Sequence, residues 1–255
     1  MKSIENNQKA LGIYQQLVTL DPQNKLLQQG IAIAYANVGT QAGVAGNKAL
    51  SSESMDKSLN IMKDVVASSP QNVLQQGILA AIYEARGDNV LRWHQFQPAK
   101  REYERAFSAY EKINAGASNA GTQVSAAGCK SRMGSAALQA GEAETAAEAF
   151  RQSLDLAKPF LSAEKPDIAA LYAAADSYAG LGDIESRQAT GRLPANGNRE
   201  HWKKAQSWYS KSSEIWEKVP SYRRKRPKSS VFVADPERVA RSLHRCEAAL
   251  SFGRN

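Results

Sequence analysis

The chain has 255 residues, 42% of them hydrophobic and 23% charged, the balance of an ordinary folded protein. No apolar run reaches the ~18 residues that a membrane span needs. Its two cysteines, Cys129 and Cys246, lie far apart and in no zinc-ligand spacing, which supports neither a disulfide framework nor a zinc site. The formal charge of +8 is uneven: residues 187–255 hold 16 Lys/Arg against 6 Asp/Glu, whereas residues 1–186 hold 17 against 19. That asymmetry points either to an anionic partner near the C-terminal end or to an end kept soluble by exposed charge.

Strand signals are nearly absent, and apolar residues recur at helical intervals. A first helix carries Ile4, Leu11, Tyr14, Leu17 and Val18 on one face and stops at Asp21-Pro22. Helices are then predicted over 24–43, 47–68 (ending before Pro70) and 72–86 (stopped by Gly87-Asp88). The next is expected over 98–114, with Pro98 in its first turn, followed by 122–139 and 142–158. An eighth, 166–181, is expected to stop at Gly182-Asp183, and a ninth covers 199–218. The last, 235–250, takes Asp235 as N-cap and Pro236 at its first position. Segments 184–198 and 221–234 are expected to be exposed loops.

One spacing repeats. Pro22, Tyr35 and Gly39 recur 48 residues later as Pro70, Tyr83 and Gly87, and the Tyr–Gly step returns at Tyr178 and Gly182. A fixed interval between punctuating residues marks an array of supersecondary units, each unable to enclose its apolar stripe alone. Such arrays present extended surfaces, which bind more often than they catalyse.

The segment Met133-Gly134, Ala137, Gly141-Glu142, Ala146, Phe150, Ser153 resembles the tetratricopeptide repeat. Partial matches occur at Ala10, Tyr14, Leu17 and Pro22; at Ile31-Ala32, Tyr35 and Gly39; at Ala106, Tyr110 and Ile113; and at Ala205 and Tyr209. The interval of 48 departs from the 34-residue period of that family, and its usual Trp is missing. The resemblance implies an all-α, right-handed α–α superhelix of about ten helices in five hairpins. The array is expected over 4–218, a basic loop over 219–234 and a C-terminal capping helix over 235–251. The first helix matches the second half of a unit. Tyr35, Tyr83 and Tyr178 are expected in the core or at a groove edge. The stretch from Trp208-Tyr209 to Ile215-Trp216, with the Arg-rich loop and the helix after Asp235, resembles the tail of tetratricopeptide regions that follow bacterial serine/threonine kinase domains. That likeness implies a signalling parent with an N-terminal kinase, and the two unpaired cysteines point to reduced thiols in the cytoplasm.

The resemblance also implies a concave face lined by the first helix of each unit. It places there Gln29, Ile33 and Asn37, then Ala81 and Glu84, then Ser131 and Ser135, then Tyr172 and Asp176. Some relatives clamp a terminal carboxylate at such positions, but here Asn37 lacks paired lysines. The side chains suit either an extended peptide or helix, or plain solvation.

No kinase motif occurs: there is no Gly-rich phosphate loop, no His-Arg-Asp and no Asp-Phe-Gly. His94, His201 and His244 are isolated, so neither a catalytic site nor a metal or cofactor is expected. The run Arg223, Arg224, Lys225, Arg226, Pro227, Lys228 is either an anion-binding segment for nucleic acid, lipid or an acidic partner, or a solvated loop. Tyr222 and Phe232 flank it, and phosphorylation of Ser229 or Ser230 would offset part of its charge. The favoured partner is a protein or peptide, with nucleic acid or an anionic surface, bound through the basic C-terminal quarter, the alternative.

Overall fold

The structure is a computed structural model that describes residues 2–116, 119–162, 164–191, 195–224 and 235–251. Its helices, in chain order, are α1 (Lys2–Leu20), α2 (Lys25–Val44), α3 (Lys48–Ser68), α4 (Val73–Arg92), α5 (Phe96–Gly116), α6 (Ala120–Gln139), α7 (Ala143–Ala157), α8 (Ile168–Ala189), α9 (Ala195–Lys218), α10 (Ser221–Arg224) and α11 (Pro236–Ser251). Ten of them have 15 residues or more, and the described residues contain no strand. The chain forms two compact units. The first holds α1 to α5, and the second holds α6, save its first turn, through α11.

Helix starts follow local chemistry. The carboxamide of Asn24 accepts from the backbone N–H groups of Leu26 and Leu27, and 48 residues on Asn72 accepts from Gln75. Asn47 accepts from Leu50, Asp167 from Ala169 and Ala170, and Asp235 from Arg238. Each cap satisfies donors that the first turn leaves open. The turns that end α2, α4 and α6 share one left-handed residue. It is Gly46 at φ +81° and Gly141 at φ +84°, but His94 at φ 58° in the second. After each, an N–H closes back on the helix: Asn47 to Ala42, Gln95 to Val90 and Glu142 to Ala137.

Within the first unit α2 pairs with α3 and α4 with α5, while α1 packs on α2 and α3 on α4. Within the second, α6 pairs with α7 and α8 with α9, α7 packs on α8, and α11 packs on α9. The hairpins close by one device used four times. A glycine on the first helix receives a large side chain from the second. A β-carbon at Gly39 would stand 2.9 Å from Met55, at Gly87 2.5 Å from Tyr103, at Gly134 2.7 Å from Phe150 and at Gly182 2.7 Å from Tyr209. Seven residues before three of those glycines, a carbonyl accepts from a fully buried serine: Ser58 to Ala32, Ser153 to Ala127 and Ser212 to Ala175. The phenols are satisfied next door. Tyr103 donates to Asp88 and Tyr209 to Asp183, each the residue after its glycine, whereas Phe150 has no hydroxyl and Ser135 follows its glycine.

This arrangement corrects two expectations. Gly87-Asp88 and Gly182-Asp183 do not stop their helices; α4 continues to Arg92 and α8 to Ala189. Glycine is there because an aromatic ring occupies the space of its side chain, not because the chain turns. In consequence α8 takes in 184–189 of the segment expected to be loop, and α9 takes in 195–198. Ser221–Arg224 is likewise a helical turn, α10, rather than loop.

Candidate protein-binding face

In the first unit the first helices of the two hairpins, α2 and α4, pack side by side. The inner face of α2 is spent on packing, with Ile31, Ala32, Ala34 and Val38 buried. Its other face leaves Leu26 72% exposed and Ile33 36% exposed, with Asn37 one turn further on and also exposed. On α4 the residue 48 positions after Leu26 is Leu74, 69% exposed, and Ala81 lies exposed two turns beyond it. Leu26 and Leu74 thus face solvent at equivalent places on adjacent helices, as Ile13, Leu17 and Leu20 do on α1. Gln29 is half-buried, and its side-chain oxygen has no protein partner. Glu84 is half-buried as well.

In the second unit the candidates fall differently. Ser131 and Ser135 are each only 4% exposed, and the Ser135 hydroxyl donates to the Ser131 carbonyl at 3.0 Å. Asp176 is 1% exposed. Tyr172 is half-buried; its ring tilts against Trp216 at 5.7 Å, and its hydroxyl donates to the Arg223 carbonyl at 2.6 Å. Ser131, Ser135 and Asp176 therefore offer almost no surface, contrary to expectation. For α8 the cause is visible. Leu171, Ala174 and Ala175 share a core with Tyr209, Val239 and Cys246, while Ala170 and Ala173 pack with Val124, Ala127 and Ala157 and Gly180 lies against Phe150, so that helix is covered by α9 and α11 on one side and by α6 and α7 on the other. The exposed candidates Ile33, Asn37 and Ala81 all lie in the first unit.

Tyr35, Tyr83 and Tyr178 are half-buried and each faces a cation from the paired helix. Lys57 lies 5.5 Å from the Tyr35 ring, Arg105 5.9 Å from Tyr83 and Lys211 5.8 Å from Tyr178. Burial raises the Tyr83 and Tyr178 phenols above the usual tyrosine range. Tyr83 also lines a cleft of about 680 Å³ with Val66, Pro70, Leu79, Arg105 and Lys112. The same position 48 residues earlier, at Val18, Pro22 and Ile31, is a smaller depression. The recurring Pro22 and Pro70 were the visible trace of that pair.

Of the basic run, Arg223 and Arg224 lie in α10 and are exposed. The Arg224 guanidinium folds back, donating to the carbonyls of Val219 at 2.9 Å and Glu217 at 3.0 Å. It thereby satisfies acceptors at the α9 C-terminus, where a cation is favoured. Lys225, Arg226, Lys228, Ser229, Ser230 and Phe232 lie outside the described residues. Among the described residues no group of three or more His, Cys, Asp or Glu is placed to hold a metal. No described helix is long and apolar enough to cross a membrane.

No protein-family model matches the chain, and no curated protein matches it in sequence. Solved structures do. BtubC (BKLC) from P. vanneervenii superposes over 100% of this chain and 92% of its own, with a TM-score of 0.56 at 13% identity. The Podosopora anserina kinesin light chain with nearly identical TPR-like repeats covers 87% of this chain and 95% of its own, with a TM-score of 0.33 at 14% identity. MamA covers 82% and 95%, with the same TM-score and identity. The fold is accordingly an all-α array of helical hairpins, which the chain shares with BtubC.

Proposed function

We propose that the chain is a non-catalytic protein-interaction module and that the α2–α4 face of the first unit receives an extended or helical segment of a partner. The observation that carries this reading is the exposure of Leu26 and Leu74, at 72% and 69%, with Ile33 between them in sequence. Apolar anchors on rigid neighbouring helices suit a segment that supplies its own apolar side chains, and Asn37 offers an amide to its backbone. The likeness of the last quarter to tails that follow kinase domains supports placing the module as the regulatory part of a cytoplasmic serine/threonine kinase-like signalling protein. The basic end is the weaker candidate for the contact, since Arg224 already caps α9.

The test is selection of binding peptides from a random display library against the full chain. Retitration then uses Leu26→Asp, Leu74→Asp and the double variant. The reading requires each single change to weaken the selected peptide about tenfold or more, as loss of a buried apolar anchor does. It also requires little effect of moderate salt, because the contacts are not phosphate-like charge pairs. Peptides that bind both variants as well as the parent chain would refute it.

A further inference from the structure

A second kind of site lies elsewhere in the first unit. Between α3, α4 and α5 is a cleft of about 340 Å³ lined by Ser51, Met55, Asn89, Trp93, Pro98 and Glu102, with Lys48, Arg86 and Arg101 also on its wall. Asn89 is 1% exposed, and its amide donates to the Gly39 carbonyl at 3.2 Å and to Ser51 Oγ at 3.0 Å. That NH2 group is structural, whereas Asn89 Oδ1 is buried with no protein partner. Glu102 is not used in the same way. It is 8% exposed; one carboxylate oxygen accepts from Arg105 at 2.9 Å, while the other, Oε2, is buried with no protein partner. The indole N–H of Trp93 is also buried and unpartnered. Glu102 Oε2, Asn89 Oδ1 and the Trp93 N–H, left unsatisfied in the walls of one cleft, are two acceptors and a donor kept for something else.

The protein contains its own control. Ninety-five residues further along, α7, α8 and α9 form the corresponding cleft, of about 290 Å³. There Ala143 stands for Lys48, Ala147 for Ser52, Leu181 for Arg86, Ile184 for Asn89 and Gln188 for Trp93. Trp208, the residue before Tyr209, stands for Glu102, the residue before Tyr103. Ile184 and Leu181 join the Phe150 core, and Trp208 packs against it. The hairpin fold therefore closes this position with apolar side chains, and the polar set at α3–α4–α5 is not something packing demands. The charge differs too: Glu144, Glu148 and Glu185 with one arginine line the second cleft, against three cations and one carboxylate in the first.

We propose that the α3–α4–α5 cleft binds a small zwitterion of the α-amino-acid class. The ligand's ammonium group donates to Glu102 Oε2. Its carboxylate accepts from the Trp93 indole N–H and is balanced by Lys48 and Arg101. The basic side chains, of which Arg86 is paired with Asp56 at 2.9 Å, repel a lone cation and attract a carboxylate, while Glu102 Oε2 takes a hydrogen-bond donor, so a ligand carrying both groups answers the whole lining. This site is independent of the α2–α4 docking face.

Calorimetric titration of the full chain with the free L-amino acids, each paired with its N-acetyl and its carboxamide derivative, tests the assignment. A neutral hexose is the control. At least one amino acid is expected to bind with Kd about 1 mM or tighter. Both of its blocked derivatives, and the Glu102→Gln variant, should bind about tenfold more weakly or worse. The melting temperature of Glu102→Gln without ligand should match that of the parent chain, and Lys48→Ala should weaken the carboxamide less than the free acid. Absence of binding by every amino acid overturns the assignment. So does binding that survives N-acetylation or Glu102→Gln, or hexose binding as tight as that of the amino acid.

Discussion

The ring of Tyr103 lies over Gly87, so close that a β-carbon on the glycine would stand 2.5 Å from Tyr103 Cε1. The contact joins α5 to α4 in the middle of both helices, and its counterparts at Gly39, Gly134 and Gly182 make it the repeating bond of the fold. These side chains, three rings and Met55, fix how closely the two helices of a hairpin approach, since interiors packed at crystal density leave no slack for an added methyl.

Two glycines of α4 should therefore respond with opposite signs. Gly87→Ala forces the Tyr103 ring aside and is expected to destabilise the chain by about 1–3 kcal/mol. Nothing lies within 4 Å of a β-carbon placed on Gly77, so Gly77→Ala should stabilise by about 0.5–1 kcal/mol through helix propensity alone. Urea denaturation of the two variants measures both.

The left-handed residue at the end of α4 is a histidine where the sister turns have glycine. His94→Gly relieves the cost of that conformation and is expected to raise stability by about 1 kcal/mol, whereas Gly141→Ala should lower it by a similar amount. Thermal unfolding of these two variants is the check.

Burial pushes the Tyr209 phenol well above the usual tyrosine range, and the Asp183 carboxylate beside it adds to the shift. A raised folded-state value favours the protonated phenol, so its stabilisation is complete below the unfolded value near pH ~10 and is lost as pH rises above it. Stability measured by urea from pH 8 to 11 should fall at the alkaline end, and less steeply in Tyr209→Phe. Equal slopes would contradict the buried placement of that hydroxyl.

Cys246 is fully buried on α11, and burial raises its thiol to about 11. Little thiolate exists at pH 8, and Val239 and Leu243 belong to the core around the sulfur. Alkylation of the native chain by iodoacetamide at pH 8 should be slow at Cys246 and become fast only in denaturant.

Much of this architecture is legible in the residues themselves. Helical periodicity, Asn and Asp caps and the interval of 48 give the elements and their repetition. The glycines at 87 and 182 mislead because a residue without a side chain signals a turn and a tight helix crossing equally well. Only the partner ring decides, and it lies in another helix. The series Gly39, Gly87, Gly134, Gly182 carries the information, since turns alone would not fall at intervals of 48, 47 and 48 in mid-helix. The face candidates divide for a similar reason. Ile33, Asn37 and Ala81 are exposed because nothing covers them within their unit, while Asp176 sits on a helix covered by α6 and α7 on one side and by α9 and α11 on the other. Helical spacing tells which residues share a face, not whether a later helix covers it. Glu102 reads in the sequence as one charge on an amphipathic helix; its burial beside Asn89 and Trp93 emerges only from the packing of three helices.

Amide chemical-shift mapping of the full chain with a library-selected peptide tests the docking face most directly. The largest shifts are expected at Leu26, Ile33, Asn37, Leu74 and Ala81. Shifts confined to Arg223 and Arg224, or to the cleft between Tyr83 and Lys112, would contradict the α2–α4 face as the place where a partner binds.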